Sequence, residues 1–231
     1  MRAVRVMTWN IHGAFGRNPS FDLARVIALI RSHDPDVIAL QEIDSRRPRA
    51  SGVLDDFRLL QDALGNHGVG AKTITTADGE YGQALFSRWP IDGVEIHDIS
   101  FHEKEPRRAI RCDVVLPEGR LRVIATHLGL SIGERRGQAK ELLRLIGDSQ
   151  NTTVVLGDFN DWFWVGSVRK VLASRLPGRS RLRTFPSICP MFRFDRIYCR
   201  PLAAFVGART DPAARHLSDH LPVIAEIACK S

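Results

Sequence analysis

Cysteine is scarce in this chain. The four present, Cys112, Cys189, Cys199 and Cys229, fall in no C-x-x-C or similar metal spacing, which argues against a zinc ribbon or a disulfide scaffold and leaves buried free thiols as the expectation. Long apolar runs are missing as well: no window approaches the ~20 residues of a membrane-spanning helix. The opening MRAVRVMTWN alternates like a strand and lacks the apolar stretch of about 7–15 residues found in a secretory leader, so a cytoplasmic protein is expected. No internal repeat, low-complexity tract or linker rich in Gly, Ser or Pro interrupts the chain. At 231 residues it lies below the ~250–300 at which single cores stop growing. A monomer with one domain over 1–231 is the expectation.

What is present is 44% hydrophobic and 26% charged residues, enough apolar material for a large core. The net charge of +7 favours an anionic partner: a phosphoester substrate, a nucleic acid or an anionic lipid surface. Arg169, Lys170, Arg175, Arg179, Arg181 and Arg183 follow one another without an intervening acid, and Arg46, Arg47 and Arg49 form a second group. Either group also fits a solvated face.

Short apolar or alternating runs predict strands at 2–9, 36–41, 69–76, 83–87, 110–116, 121–126, 153–156, 194–199 and 222–228. Helical spacing predicts helices over 21–32, behind a Ser20 cap, and over 134–147, with shorter pieces at 55–64 and 165–175. Strands outnumber helices without the strict alternation of a doubly wound sheet. The prediction is an α/β (α+β) fold with two mixed sheets and helices outside. The segment 176–193, rich in Pro and Arg, reads as an irregular surface loop.

Polar residues gather at the strand ends. VMTWNIHG closes one apolar strand with Asn10 and His12; DVIALQEID closes another with Gln41, Glu42 and Asp44; RVIATHLG ends in His127; VVLGDFND delivers Asp158, Asn160 and Asp161; RFDRIY carries Asp195; and LSDHLPV places Asp219 and His220 just before the last strand. An unpaired buried charge costs several kcal/mol or more, and a bound cation would satisfy a carboxylate cluster. Oxygen ligands with imidazoles and no thiolate suit magnesium or manganese. Each residue alone also fits a turn former or a core histidine; their recurrence favours a shared site.

These motifs, TWNIHG, LQEID, THLGL, GDFND, FDRIY and SDHLPV, resemble in order those of the endonuclease/exonuclease/phosphatase superfamily, and they run from residue 8 to residue 223. The resemblance implies a DNase I-like four-layer sandwich, two mixed β-sheets flanked by helices, and metal-assisted hydrolysis of a phosphoester. Carried over by position, Glu42 looks like the principal metal ligand, with Asn10 beside it and Asp219 near the metal or His220. Asp158 resembles the residue that orients or deprotonates the attacking water, and Asn160 the one that bonds a phosphate oxygen. His220 with Asp195 resembles the histidine pair acting on phosphate, and His127 the second histidine, also on phosphate. Arg107 or Arg108, in KEPRRAIRC, matches a phosphate-binding arginine.

Departures from the family's abasic-site endonucleases narrow the substrate. Those enzymes usually carry an acid where this chain has His12, a lysine where it has Asp44, and a stretch rich in Trp and Tyr where it has SICPMFRF. The expected activity is therefore a divalent-metal-dependent phosphodiesterase, or a phosphomonoesterase, acting on a small or lipid-linked substrate. The alternatives are a DNase I-like nuclease and a binding protein that has lost catalysis.

Overall fold

The computed structural model describes residues 3–15, 22–46, 55–162 and 167–229. The first half of the chain runs β1 (Ala3–Asn10), α1 (Leu23–Ser32), β2 (Val37–Asp44), α2 (Asp56–Leu64), β3 (His67–Thr76), β4 (Gly79–Ser87), β5 (Ile91–Asp98) and β6 (Arg108–Val115). The second half runs β7 (Arg120–His127), α3 (Ile132–Ile146), β8 (Thr152–Asp158), α4 (Ser167–Ala173), β9 (Gly178–Arg179), β10 (Asp195–Arg200), β11 (Phe205–Thr210) and β12 (Val223–Ala228). They form two six-stranded sheets, ordered β11-β12-β1-β2-β4-β3 and β5-β6-β7-β8-β10-β9. In each sheet one central pair is parallel, β1 with β2 and β7 with β8, and the remaining pairs are antiparallel.

Each parallel pair needs a crossover, and α1 and α3 supply them. The inner faces of the sheets meet through Val4, Val6, Leu85, Val123, Val154, Ile197 and Ala225. Met7, Trp9, Leu40 and Ile224 face outward onto Val26 and Ile30 of α1 and Leu60 of α2. On the other side Ile124, Val155 and Tyr198 receive Leu142 and Ile146 of α3 and Leu172 of α4. The layers are thus helix, sheet, sheet, helix. The central strands are buried on both faces, which is why they read as near-continuous apolar runs. No helix among the described residues is long and apolar enough to cross a membrane.

Helix starts follow their caps. Ser20 lies outside the described residues; α1 begins at Leu23 behind Asp22, whose carboxylate accepts from the Arg25 N–H at 3.0 Å. α3 starts two residues before the predicted 134 because Ser131 and Glu134 close a reciprocal capping box. Three strands escaped the sequence reading. β5 is exposed along most of its length at a sheet edge, β9 has two residues, and β11 is an edge strand interrupted by Gly207. None buries a regular apolar face, so none carries the alternation that marks a strand. The segment 176–193 is more ordered than a surface loop: β9 pairs with β10, Phe185 bridges Phe192, and Thr184 is fully buried. Of the four free cysteines, Cys189 is exposed and the others are buried.

Candidate active site

Topology explains why some of the polar residues follow their strands and others precede them. The four parallel-paired strands end at one rim, delivering Asn10, Glu42, His127 and Asp158. β10 and β12 run antiparallel to their neighbours, so the same rim receives their first residues and the turn before them. Asp195 therefore sits opposite Asp158, and His127 sits beside it in register. Gly157 permits the close packing of β7 and β8. At its φ of +150° a Cβ would fall 1.8 Å from the Thr126 carbonyl oxygen.

Asn10 joins the two sheets. Its amide nitrogen donates to Glu42 Oε1 at 2.8 Å and to Asp158 Oδ2 at 3.0 Å, and its oxygen accepts from the His12 N–H at 3.0 Å. Glu42 reaches this point through a bulge: pairing of β2 with β4 shifts register between Leu40 and Ile43, and Glu42 takes φ +55°. A left-handed glutamate costs of order 1–3 kcal/mol, a strain that tends to collect at functional sites. His12 and Asn160, at φ +47° and +48°, flank the same rim. Asn160 donates its backbone N–H to Asp158 Oδ1 at 2.9 Å, and its amide donates to the Leu128 carbonyl at 2.9 Å while lying 3.3 Å from His127 Nε2.

His220 occupies the other side of Asp158. Its Nδ1 donates to Asp195 Oδ2 at 2.8 Å, and its Nε2 lies 3.8 Å from Asp158 Oδ2. The backbone is fixed from below, where the Trp9 indole donates to the His220 carbonyl at 2.9 Å and the Ser218 hydroxyl donates to the Asn10 carbonyl at 2.7 Å. Phe185 packs against the imidazole with centroids 4.8 Å apart.

Charge is distributed unevenly over these groups. Burial opposes ionisation of Glu42, but His12, His127 and the Asn10 amide outweigh it and hold its pKa at about 2. Burial, opposed in part by His220, pushes Asp158 up to about 6. Burial also works against charged His220, yet Asp195 and Asp158 prevail and raise it to about 10. His127 moves the other way, down to about 3, through burial and the nearby Arg107 charge. The rim thus pairs an imidazolium with a neutral imidazole around carboxylates of unequal basicity, a pattern typical of catalytic sites.

The predicted residues converge. Ligand atoms of Glu42, His127 and Asp158, and those of Asp158, Asp195 and His220, form two overlapping groups whose atoms lie within 4.8 Å of one another. Asp219 stands further out, its Oδ1 3.7 Å from His12 Nδ1, whose own distance to Glu42 Oε2 is 3.4 Å. The two arginines diverge: Arg107 lies against the rim and Arg108 away from it. Arg107 is buried, pairs with Glu105 at 2.9 Å and comes within 3.4 Å of His127 Nδ1. Arg108 points to the facing sheet, where its Nε donates to the Lys72 carbonyl at 3.2 Å. His12, Glu105 and Phe185 are site residues that sequence motifs did not assign. Of the second basic group, Arg46 pairs with Asp44 at 2.9 Å, and Arg47 and Arg49 lie outside the described residues.

The donor set fits a hard divalent cation. It consists of carboxylate oxygens with imidazole, and no described cysteine belongs to either ligand group. Asp195 Oδ1 is buried without a hydrogen-bond partner, so the cluster holds unspent acceptor capacity.

Two facing mixed sheets with this rim define a DNase I-like sandwich, the scaffold of phosphoester hydrolases. The chain belongs to the endonuclease/exonuclease/phosphatase family, whose model matches residues 7–220; its members are typically hydrolases acting on phosphoester bonds and generally use a divalent metal. It is 30% identical over 242 residues to the uncharacterized protein YbhP of Escherichia coli, covering 96% of this chain and 95% of YbhP. Among solved structures it is similar to an endonuclease/exonuclease/phosphatase from Beutenbergia cavernae, with a TM-score of 0.78, 24% identity, and coverage of 100% of this chain and 72% of the other. The human Nocturnin catalytic domain, solved with a bound sulfate anion, aligns with a TM-score of 0.73 at 20% identity over 99% of this chain and 94% of that one.

Proposed function

We propose that the protein, acting as one catalytic domain, is a magnesium- or manganese-dependent phosphoesterase that hydrolyses a phosphodiester, or secondarily a phosphomonoester, in a small or lipid-linked substrate. The observation that carries this reading is the meeting of Glu42, His127, Asp158, Asp195 and His220 in two overlapping ligand groups. Glu42, with Asn10 beside it and Asp219 nearby, would hold the cation. Such an ion, when bound, would neutralise phosphate oxygens and acidify water.

The side chains divide the remaining work. Asp158, whose raised pKa brings it towards neutrality, takes the proton of an attacking water or orients that water. His220, kept protonated beside Asp195, donates from Nε2 to phosphate. The Asn160 amide binds a nonbridging oxygen. His127, neutral at physiological pH, faces the same phosphate, and Arg107 orients it through Nδ1 or adds charge there.

The reading is tested by a screen of bis(p-nitrophenyl) phosphate, p-nitrophenyl phosphate, phospholipids and plasmid DNA, with magnesium or excess chelator. Diester hydrolysis that chelator abolishes and magnesium restores is expected. Hydrolysis indifferent to chelator would refute the metal requirement. Dominant cleavage of DNA, weakening steeply as salt rises, would favour the nuclease alternative.

The His220 and Asp195 pair predicts a pH signature. Activity that needs imidazolium is present below the His220 pKa and lost above it, so the alkaline limb should stay high while Asp195 is charged. Asp195→Asn removes the largest upward influence on that pKa. The limb should move to lower pH by one unit or more, read from kcat/KM across pH 6–10. An unmoved limb would rule out His220 as the titrating acid.

A further inference from the structure

Beside the rim, on the far side of the Phe194 ring, lies a cleft of about 360 Å³ whose walls include Trp162, Arg169, Arg183, Phe192, Arg193 and Arg196. Four arginines face one another here across one described acid, Asp161, which Arg196 approaches at 3.5 Å. The rest of the wall is apolar, and much of it is open: Trp162 is 43% and Met191 60% exposed. The arginines come from α4, the segment before β10 and β10 itself, so the fold rather than one charged run assembles them. Crowding of like charge around Arg193 disfavours its cation unless an anion joins it. Burial, followed by Arg183, Arg196, Arg169 and Arg181, lowers the Arg193 pKa.

The cleft borders the catalytic rim across the buried Phe194 ring. Phe194 stands 6.0 Å from the His220 ring and 5.2 Å from Trp162, centroid to centroid, and Asp161 directly follows Asn160. A substrate whose scissile phosphate sits at His220 and Asn160 would therefore extend past Phe194 into the arginines. Guanidinium forks match phosphate geometry and stack on planar groups, and Trp162 with Phe192 offers an aromatic wall to whatever links the two anions.

We propose that this cleft is a subsite for a second phosphate group of the substrate, carried next to a planar or apolar moiety. The proposal rests on the phosphoesterase reading and narrows its substrate class to molecules bearing two phosphates. None of the proposed catalytic groups lines the cleft, so the subsite contributes to binding and selectivity and leaves the chemical step to the rim.

The test uses Arg183→Ala/Arg193→Ala. Both side chains are exposed, so the fold should survive, whereas Arg196 is buried against Asp161 and Tyr198 and is left intact. Binding is read without catalysis, from the Trp162 indole N–H resonance, assigned with Trp162→Phe, as phenyl phosphate is titrated into the full chain under chelator. Saturable movement of that resonance in wild type, weakened at least tenfold in the double variant, is expected. In steady state with magnesium, the double variant should raise KM at least tenfold for a phosphodiester carrying an additional phosphomonoester. Its kcat should hold, and its KM for bis(p-nitrophenyl) phosphate should change less than twofold. An unmoved indole resonance, equal phenyl phosphate affinity in both proteins, or an equal rise in both KM values would overturn the subsite. Absence of turnover in wild type, with phenyl phosphate still binding the cleft, would instead overturn the phosphoesterase reading. Loss of binding to phosphatidylglycerol vesicles in the double variant, with no phenyl phosphate binding in wild type, would make the arginines a membrane contact and overturn the proposal.

Discussion

Asp158→Asn should leave a folded protein with turnover reduced by about 10²–10⁴-fold, the range that a general acid or base contributes. The replacement preserves shape. An asparagine oxygen can still accept from the Asn160 backbone N–H, as Asp158 Oδ1 does at 2.9 Å, while the carboxylate oxygen facing Asn10 and His220 is lost. Stability should change little. An acid whose folded pKa, about 6, exceeds its unfolded value of 3.8 loses stability as pH climbs between those values, and above about 6 a constant penalty remains. Removing the charge removes that penalty, offset by the attraction lost to His220 and by an amide nitrogen that meets the Asn10 amide donor where Oδ2 accepted at 3.0 Å. A residue kept for structure would show the reverse pattern, a lowered melting temperature with turnover nearly intact. Turnover by the variant within tenfold of wild type would eliminate Asp158 as the group that acts on water.

Glu42→Gln separates charge from shape at the proposed metal ligand. Half-maximal activation should need at least 10–100-fold more magnesium, since losing a mere outer partner of a ligand already weakens metal binding by about that much. The amide keeps the volume of the carboxylate, and the strained backbone at φ +55° is unchanged, so circular dichroism and melting should differ little. His12 offers an internal control. Its pKa is raised chiefly by its bond with Glu42, against burial and with help from Asp219, so Glu42→Gln should lower it, a change visible by proton NMR without metal. A magnesium titration superimposable on that of wild type would remove Glu42 from the metal site.

The motif residues were legible because each is costly where it stands. Carboxylates and imidazoles at the ends of Val- and Leu-rich strands demand a partner. The four layers were readable for the same reason: every central strand and the two crossover helices bury regular apolar faces. Contacts created only by folding were hidden. The bulge that turns Glu42 towards Asn10 leaves no composition signal, and His12 reaches Glu42 and Asp219 through it. Arg107 and Arg108 were indistinguishable until the fold set one against the rim and the other away from it. Phe185 and Thr184 lie in a stretch rich in Pro and Arg that lacks periodicity, yet it walls His220 because β9 pairs with β10 and the Thr184 hydroxyl accepts from the Asp195 N–H. The basic run split in the same way, with Arg169 and Arg183 joining Arg193 and Arg196 across some thirty residues of chain.

Anomalous diffraction from crystals soaked in manganese tests most directly whether one rim gathers these residues around a divalent ion. A peak within coordination distance of a Glu42 carboxylate oxygen, beside Asn10 and absent from Glu42→Gln crystals, is the expected result. A fully occupied manganese peak elsewhere, with none at Glu42, would contradict the assignment.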